Sequence, residues 1–309
     1  MTTLFYSHPA CLEHEPGAQH PEQPERLRAI LEHLSMPSYA ALERRKAPIV
    51  DIEKLSQVHR SGYVDATLDA IPKEGRNFLD PDTAVSPGSR EAALRAAGAC
   101  VAAVDAVMSG DASNAFCAVR PPGHHAEADR AMGFCLFNNV AVAALHARAT
   151  HKLQRVAVVD FDVHHGNGTQ SMFYADPDLF YGSTHQYPHY PGTGAREERG
   201  VAGNIVNEPM PPGSGSAEFQ IAMRDSLLPA LDEFKPELVL ISAGFDAHAA
   251  DPLADIYLKE EDFAWVTEEL VAIANTHCSG RVVSTLEGGY DLDALANSTG
   301  AHIAALMAA

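Results

Sequence analysis

The stretch Val156-Ala-Val-Val-Asp-Phe-Asp-Val-His164-His-Gly-Asn-Gly168 decides how the chain is read. Its first part, VAVVD, is a short run of apolar β-formers, as expected of a strand covered on both faces in a parallel sheet. It then switches to Asp, His, Gly and Asn, the composition of a loop leaving the carboxyl end of such a strand. Open α/β sheets gather their ligand sites at those ends. In extended backbone, residues two apart share a face, so Asp160, Asp162 and His164 project together.

The same switch recurs three times. Ala115–Val119 runs into Arg120-Pro-Pro-Gly-His124-His125, Leu238–Ser242 into Ala-Gly-Phe-Asp246, and Val282–Leu286 into Glu287-Gly-Gly-Tyr290-Asp291. Leu179–Ser183 reads as a fifth strand. Apolar residues at helical spacing mark Glu91–Met108, Asn138–Ala149, Ser216–Phe234, Glu260–His277 and Asp291–Met307 as helices. Alternating strands and helices predict βαβ units, hence one α/β domain over residues 1–309 with a mainly parallel central sheet. The Pro/Gly-rich stretches 72–88, 187–203 and 209–215 read as loops inside it.

Composition narrows the classes. Of 309 residues, 46% are hydrophobic and 20% charged, which excludes a disordered chain. The net charge of −19 lacks the basic footprint of a nucleic-acid binder. Five cysteines, odd in number and without a CxxC pair, argue against a disulfide framework. Met1–Gly17 shows no basic segment leading an apolar one, and no apolar run approaches a membrane span. A cytoplasmic protein that binds neither membrane nor nucleic acid is the expectation. Sixteen histidines point to metal or proton chemistry.

Asp162 and His164, joined by Asp246 from the next strand end, make an Asp/His/Asp set. Three protein ligands leave an open position, the mark of a catalytic zinc site. The pair His124-His125 supplies a general base and a general acid. Asp160 is a plausible orienting partner for one imidazole and Asn167 for the other; a carboxylate holds its imidazole more cationic than an amide does. Tyr290 follows two glycines that expose its ring, and its phenol can donate to a developing oxyanion.

Four segments carry a family resemblance: RPPGHHAEADRAMGFCLFNNVAVAA (Arg120–Ala144), DFDVHHGNGTQ (Asp160–Gln170), SAGFDAHAADPL (Ser242–Leu253) and LEGGYD (Leu286–Asp291). With HPEQPERL (His20–Leu27), they resemble the zinc-dependent histone deacetylase family, class II-like, of the arginase/deacetylase superfamily that includes acetylpolyamine amidohydrolases. The resemblance implies a parallel sheet of about eight strands flanked by helices. It implies zinc on Asp162, His164 and Asp246, and a potassium or sodium ion on Asp160, Asp162, His164, Ser183 and Thr184. It makes His125 the general base and acid, His124 its electrostatic partner linked to Asp160, and Tyr290 the oxyanion donor. Asn167 stands where class I members have Asp. Gly133, Phe134 and Tyr190 would wall an acyl-lysine tunnel, with Leu253 at the rim, Gly289 at the base and Arg26 behind the site; family members often carry Phe at the Tyr190 position. Arginases need a further Asp where this chain has Gly166, so one divalent ion is expected, not two. Asp82 reads first as a surface-turn carboxylate and second as a rim residue. The implied activity is hydrolysis of acyl groups from lysine or a lysine-like amine. An amidohydrolase for acetylated polyamines or other small acyl-amines, and a non-catalytic acyl-lysine binder, stay open, as does the oligomeric state.

Overall fold

The computed structural model describes residues 2–309. Among the described residues ten strands are present: β1 Thr3–Ser7, β2 Glu43–Lys46, β3 Asn77–Asp80, β4 Thr83–Val85, β5 Asn114–Cys117, β6 Val156–Asp160, β7 Leu179–Gln186, β8 Ile205–Met210, β9 Leu238–Ala243 and β10 Val282–Leu286. Eight of them form one sheet in the order β2-β1-β5-β10-β9-β6-β7-β8, with every pairing parallel. The chain is therefore a single α/β domain with helices covering both faces of the sheet.

All five strands read from the sequence are there. Its four central members, β5, β10, β9 and β6, are wholly buried, which is why they read as continuous apolar runs. The strands that the sequence reading missed lie toward the rims. β2 is ERRK and mostly exposed, and its charges blunt an open edge. β8 is the other edge strand and holds Pro209, which lacks the N–H that a central strand needs. The stretch 72–88 is not all loop: β3 and β4 form a small antiparallel hairpin within it.

The helix expected over Ser216–Phe234 is interrupted. It runs Ser216–Ala222, opens into a π turn at Met223–Leu227 and resumes over Leu228–Phe234. Pro229 has no N–H for an i→i−4 bond, and a π turn absorbs that break. The helix Ser89–Ser109 is apolar and long enough to cross a bilayer by composition, but it is mostly buried in this fold. It packs on the helix Asn139–His151.

Candidate active site

The four loops leaving β5, β6, β9 and β10 meet above the middle of the sheet. Register explains it: Asp160, the last residue of β6, pairs with Ser183 of β7 on one side and Ser242 of β9 on the other. Backbone holds both carboxylates at the centre, Asp162 through both oxygens, with His164 N–H donating to its Oδ1 at 2.9 Å. Gly288 N–H donates to Asp162 Oδ2 at 2.8 Å, and Val163 N–H to Asp246 Oδ1 at 2.9 Å. Asp162 Oδ1 and Asp246 Oδ2 also face His164 Nδ1, at 3.0 and 3.1 Å. All three residues are buried, and their ligand atoms lie within 4.8 Å of one another. Glycines leave the room: a Cβ at Gly288 would overlap both carboxylates, and one at Gly244 would strike Asp162.

The electrostatics favour a cation here. Burial opposes charge on His164, yet the hydrogen bonds and charges of Asp162 and Asp246 lift it to about 10. Burial, then repulsion from Asp162, pushes Asp246 up to about 7.

The two adjacent histidines differ as their partners differ. His124 Nδ1 is 2.9 Å from Asp160 Oδ2, which also accepts from the Tyr181 hydroxyl at 3.1 Å. Burial opposes its charge, but Asp160 and then Asp162 raise it well above the usual histidine range. His125 Nδ1 is 2.8 Å from Asn167 Oδ1. Burial, then the positive charge of His124 and His164, lowers it well below that range. Burial also raises Tyr290 well above 10, which keeps its hydroxyl a donor.

These groups border a cavity of about 160 Å³. Its walls include Phe134, Tyr190, Gly133 and Leu253, with His125, His164 and Tyr290 within. Phe134 and Tyr290 are 6.0 Å apart edge to face, and Tyr190 stands 5.2 Å from the His125 ring. Phe134 sits at φ 68°, a left-handed conformation that strains a residue with a Cβ. Asp82 and Thr83 hold it there, accepting from Gly133 N–H and Phe134 N–H at 3.1 Å each. The His20 and Phe134 rings pack edge to face, their centroids 4.6 Å apart.

Asp82 is thus no plain surface-turn carboxylate. It is half-buried, borders the cavity and buttresses the Phe134 loop. Gly288 rather than Gly289 borders the cavity; the Gly289 carbonyl faces back to Arg26 Nε at 2.5 Å. Arg26 lies behind the site, its guanidinium 4.9 Å from the Tyr290 ring. Ser183 and Thr184 are buried, and Ser183 Oγ bonds His185 Nδ1 at 2.9 Å. His189 stacks on His164 at 5.2 Å.

Several supporting groups had not been singled out in sequence. Glu287 Oε2 accepts from Gly123 N–H at 2.7 Å and His124 N–H at 3.1 Å, and burial raises its carboxyl to about 7. Glu22 binds Arg26 at 3.0 Å and Arg120 at 2.7 Å, all three fully buried. The HPEQPERL motif contained the signal for Glu22; nothing local marks Glu287 as structural. A second His/Asp grouping, Asp105, His146 and His151, lies at the C-terminal end of the helix Asn139–His151. Both Nε2 atoms approach one Asp105 oxygen, at 2.6 and 2.7 Å, while Lys54 Nζ reaches His146 Nδ1 at 2.8 Å. An ammonium donating to Nδ1 leaves the ring proton on Nε2, so this cluster ties two helices together and does not present free ligands.

Comparison with known proteins fits this geometry. A histone deacetylase domain model matches residues 20–306. Histone deacetylase 14, chloroplastic, of Arabidopsis thaliana is 38% identical over 98% of this chain and 76% of its own length. A histone deacetylase-like amidohydrolase of Pseudomonas aeruginosa is 42% identical over 88% of this chain and 72% of its own. The solved HDA15 HD domain superposes with a TM-score of 0.93 at 37% identity, covering 99% of this chain and 88% of that one. Fold and relatives place the chain in the deacetylase/amidohydrolase class of α/β proteins. Within that class it belongs to the histone deacetylase family.

Proposed function

We propose that this protein is a zinc-dependent hydrolase that removes acetyl or other acyl groups from the amine of lysine side chains or a lysine-like substrate. One observation carries the reading: Asp162, His164 and Asp246 cluster, and His164 opens onto a narrow cavity that His125, Tyr290, Phe134 and Tyr190 also line. The residues fit the metal. Two carboxylates and one imidazole converge, buried, where a single Cβ would fill the space, and three protein ligands leave a position open. The chemistry such an ion supplies is Lewis acidity toward the acyl carbonyl and a lowered pKa for water. Potassium or sodium fits beside it: Asp160 and Ser183 are buried register partners on adjacent strands.

The protein's own groups then divide the work. Phe134 and Tyr190 hold the aliphatic stem of the substrate and exclude water around it. His125, neutral, takes a proton from the attacking water. His124, kept cationic by Asp160, adds the positive charge that holds His125 in that neutral state. The Tyr290 hydroxyl donates to the oxygen that becomes negative in the tetrahedral transition state. His125 then hands its proton to the departing amine.

Asp82 at the cavity supports a second reading, a small acyl-amine whose distal ammonium pairs with that carboxylate. One panel separates the two: zinc-loaded protein with acetyl-lysine peptides, free acetyl-lysine and acetylated polyamines. Turnover of the peptides supports the first reading and selective turnover of the polyamines the second. Acetate released from none of them would overturn both.

A further inference from the structure

The side-chain amide of Asn167 stands between the general base and an unassigned carboxylate. Its Oδ1 is 2.8 Å from His125 Nδ1. Its Nδ2 is 2.8 Å from Glu127 Oε1, 3.4 Å from the His125 carbonyl and 3.4 Å from Met132 Sδ. All three neighbours of Nδ2 are acceptors. Turning the amide over would set its oxygen against all three. Glu127 opposes the turn most, because it is the nearest and carries the charge.

That orientation has a chemical consequence. An amide oxygen facing Nδ1 is satisfied only by Nδ1–H, so the ring proton sits on Nδ1 and Nε2 is left as a base. The reversed amide would donate to Nδ1 and move the proton to Nε2, removing the base with the ring in place. Glu127 is itself fixed from behind. Asn138 N–H donates to His59 Nε2 at 2.9 Å, so His59 carries its proton on Nδ1 and donates to the Glu127 carbonyl at 2.9 Å. Burial holds His59 neutral, lowering it to about 4. Glu127 N–H donates to the Arg130 carbonyl at 2.9 Å, completing the loop.

We infer that Glu127 is a positioning residue that sets the tautomer of His125 through the Asn167 amide. Its effect on turnover rests on the hydrolase reading above; the tautomer is a property of the folded protein whatever it hydrolyses.

The test uses the zinc-loaded full chain with ¹⁵N-labelled histidine. Two-bond ¹H–¹⁵N spectra, with His125→Phe for assignment, show which ring nitrogen carries the proton. The expected result is Nδ1–H in the wild type and in Glu127→Gln, which keeps an oxygen acceptor. Glu127→Met, without one, shows a measurable Nε2–H population, and Glu127→Lys, a donor only, shows mainly Nε2–H. In the same series kcat falls by on the order of 10²–10³ in Glu127→Lys, within the usual contribution of a general base, while KM stays close to wild type. Glu127→Gln recovers most of the rate lost in Glu127→Met. Should the lysine variant fail to fold, the Gln and Met pair decides.

A wild-type protein with Nε2–H overturns the inference. So does a tautomer unchanged across the series, even if kcat falls, since Glu127 would then act only by packing. A wild type that turns over no acylated amine refutes the hydrolase reading instead and leaves the spectra to judge Glu127.

Discussion

Removing the Tyr290 hydroxyl is the sharpest test at the scale of one residue. Its ring is fixed by Arg26 and Phe134, and burial keeps the phenol protonated. Tyr290→Phe keeps the ring and loses the donor, so kcat should drop by ~10²–10³ while zinc content is unchanged. Steady-state kinetics paired with metal analysis reads both; near-wild-type turnover would refute the role. Gly288→Ala should instead act on the metal. Its methyl would enter the space between Asp162 and Asp246, so the dialysed protein should lose its zinc, and one equivalent retained would refute the assignment of that pocket. Asn167 shows what a residue can hide: its amide type was legible in the sequence, whereas which end faces His125 depends on Glu127, forty positions away.

Among the elements, Gly98 sets local propensity against packing. In the interior of the helix Ser89–Ser109, glycine to alanine gains about 1 kcal/mol by helix propensity alone. Here the segment Pro48–Val50 crosses directly over Gly98, with Val50 N 2.8 Å from the position of an added Cβ. Gly98→Ala should therefore destabilise, by about 1–3 kcal/mol as an overpacked contact; a raised melting temperature would contradict this. The helix Asn139–His151 begins with a true cap, Asn138 Oδ1 accepting from Ala141 N–H at 3.0 Å, and the same side chain reaches Thr169 Oγ1 at 3.0 Å. Sequence reading placed this helix well because its periodicity and its cap agree. It ran Ser216–Phe234 together because the apolar spacing persists across Pro229. The five strands read from sequence announced themselves by short apolar runs, while β1, though buried, was missed beside the edge, and the edge strands β2, exposed and charged, and β8, mostly buried but holding a proline, look like loop.

Across the whole molecule, Glu22 joins segments far apart in the chain. It binds Arg120 beyond β5 and Arg26, and Arg26 in turn reaches the carbonyls of Glu287 and Gly289 at 2.5 Å each. Burial would raise this carboxyl, but Arg120 and then Arg26 outweigh it and hold Glu22 at about 2, against 4.5 when free. A carboxyl with a depressed native pKa stabilises fully above pH 4.5 and loses that contribution as pH falls toward 2. The shift corresponds to about 3 kcal/mol. Denaturant titrations should show Glu22→Gln less stable than wild type at neutral pH, with the gap closing between pH 4.5 and 2. A gap constant across that window would show that the pair is not the source.

The sequence by itself determined the alternation of strands and helices, the parallel central sheet, and the residue types at the four strand ends, because periodicity and composition are local properties. Tertiary structure decided everything that depends on distance through space. It placed the edge strands, carried Asp82 on a hairpin to the cavity, forced Phe134 into a left-handed turn, and aimed the Asn167 amide. Each of these is set by contacts between residues remote in the chain, where packing and hydrogen-bond partners outweigh any preference a short stretch can express.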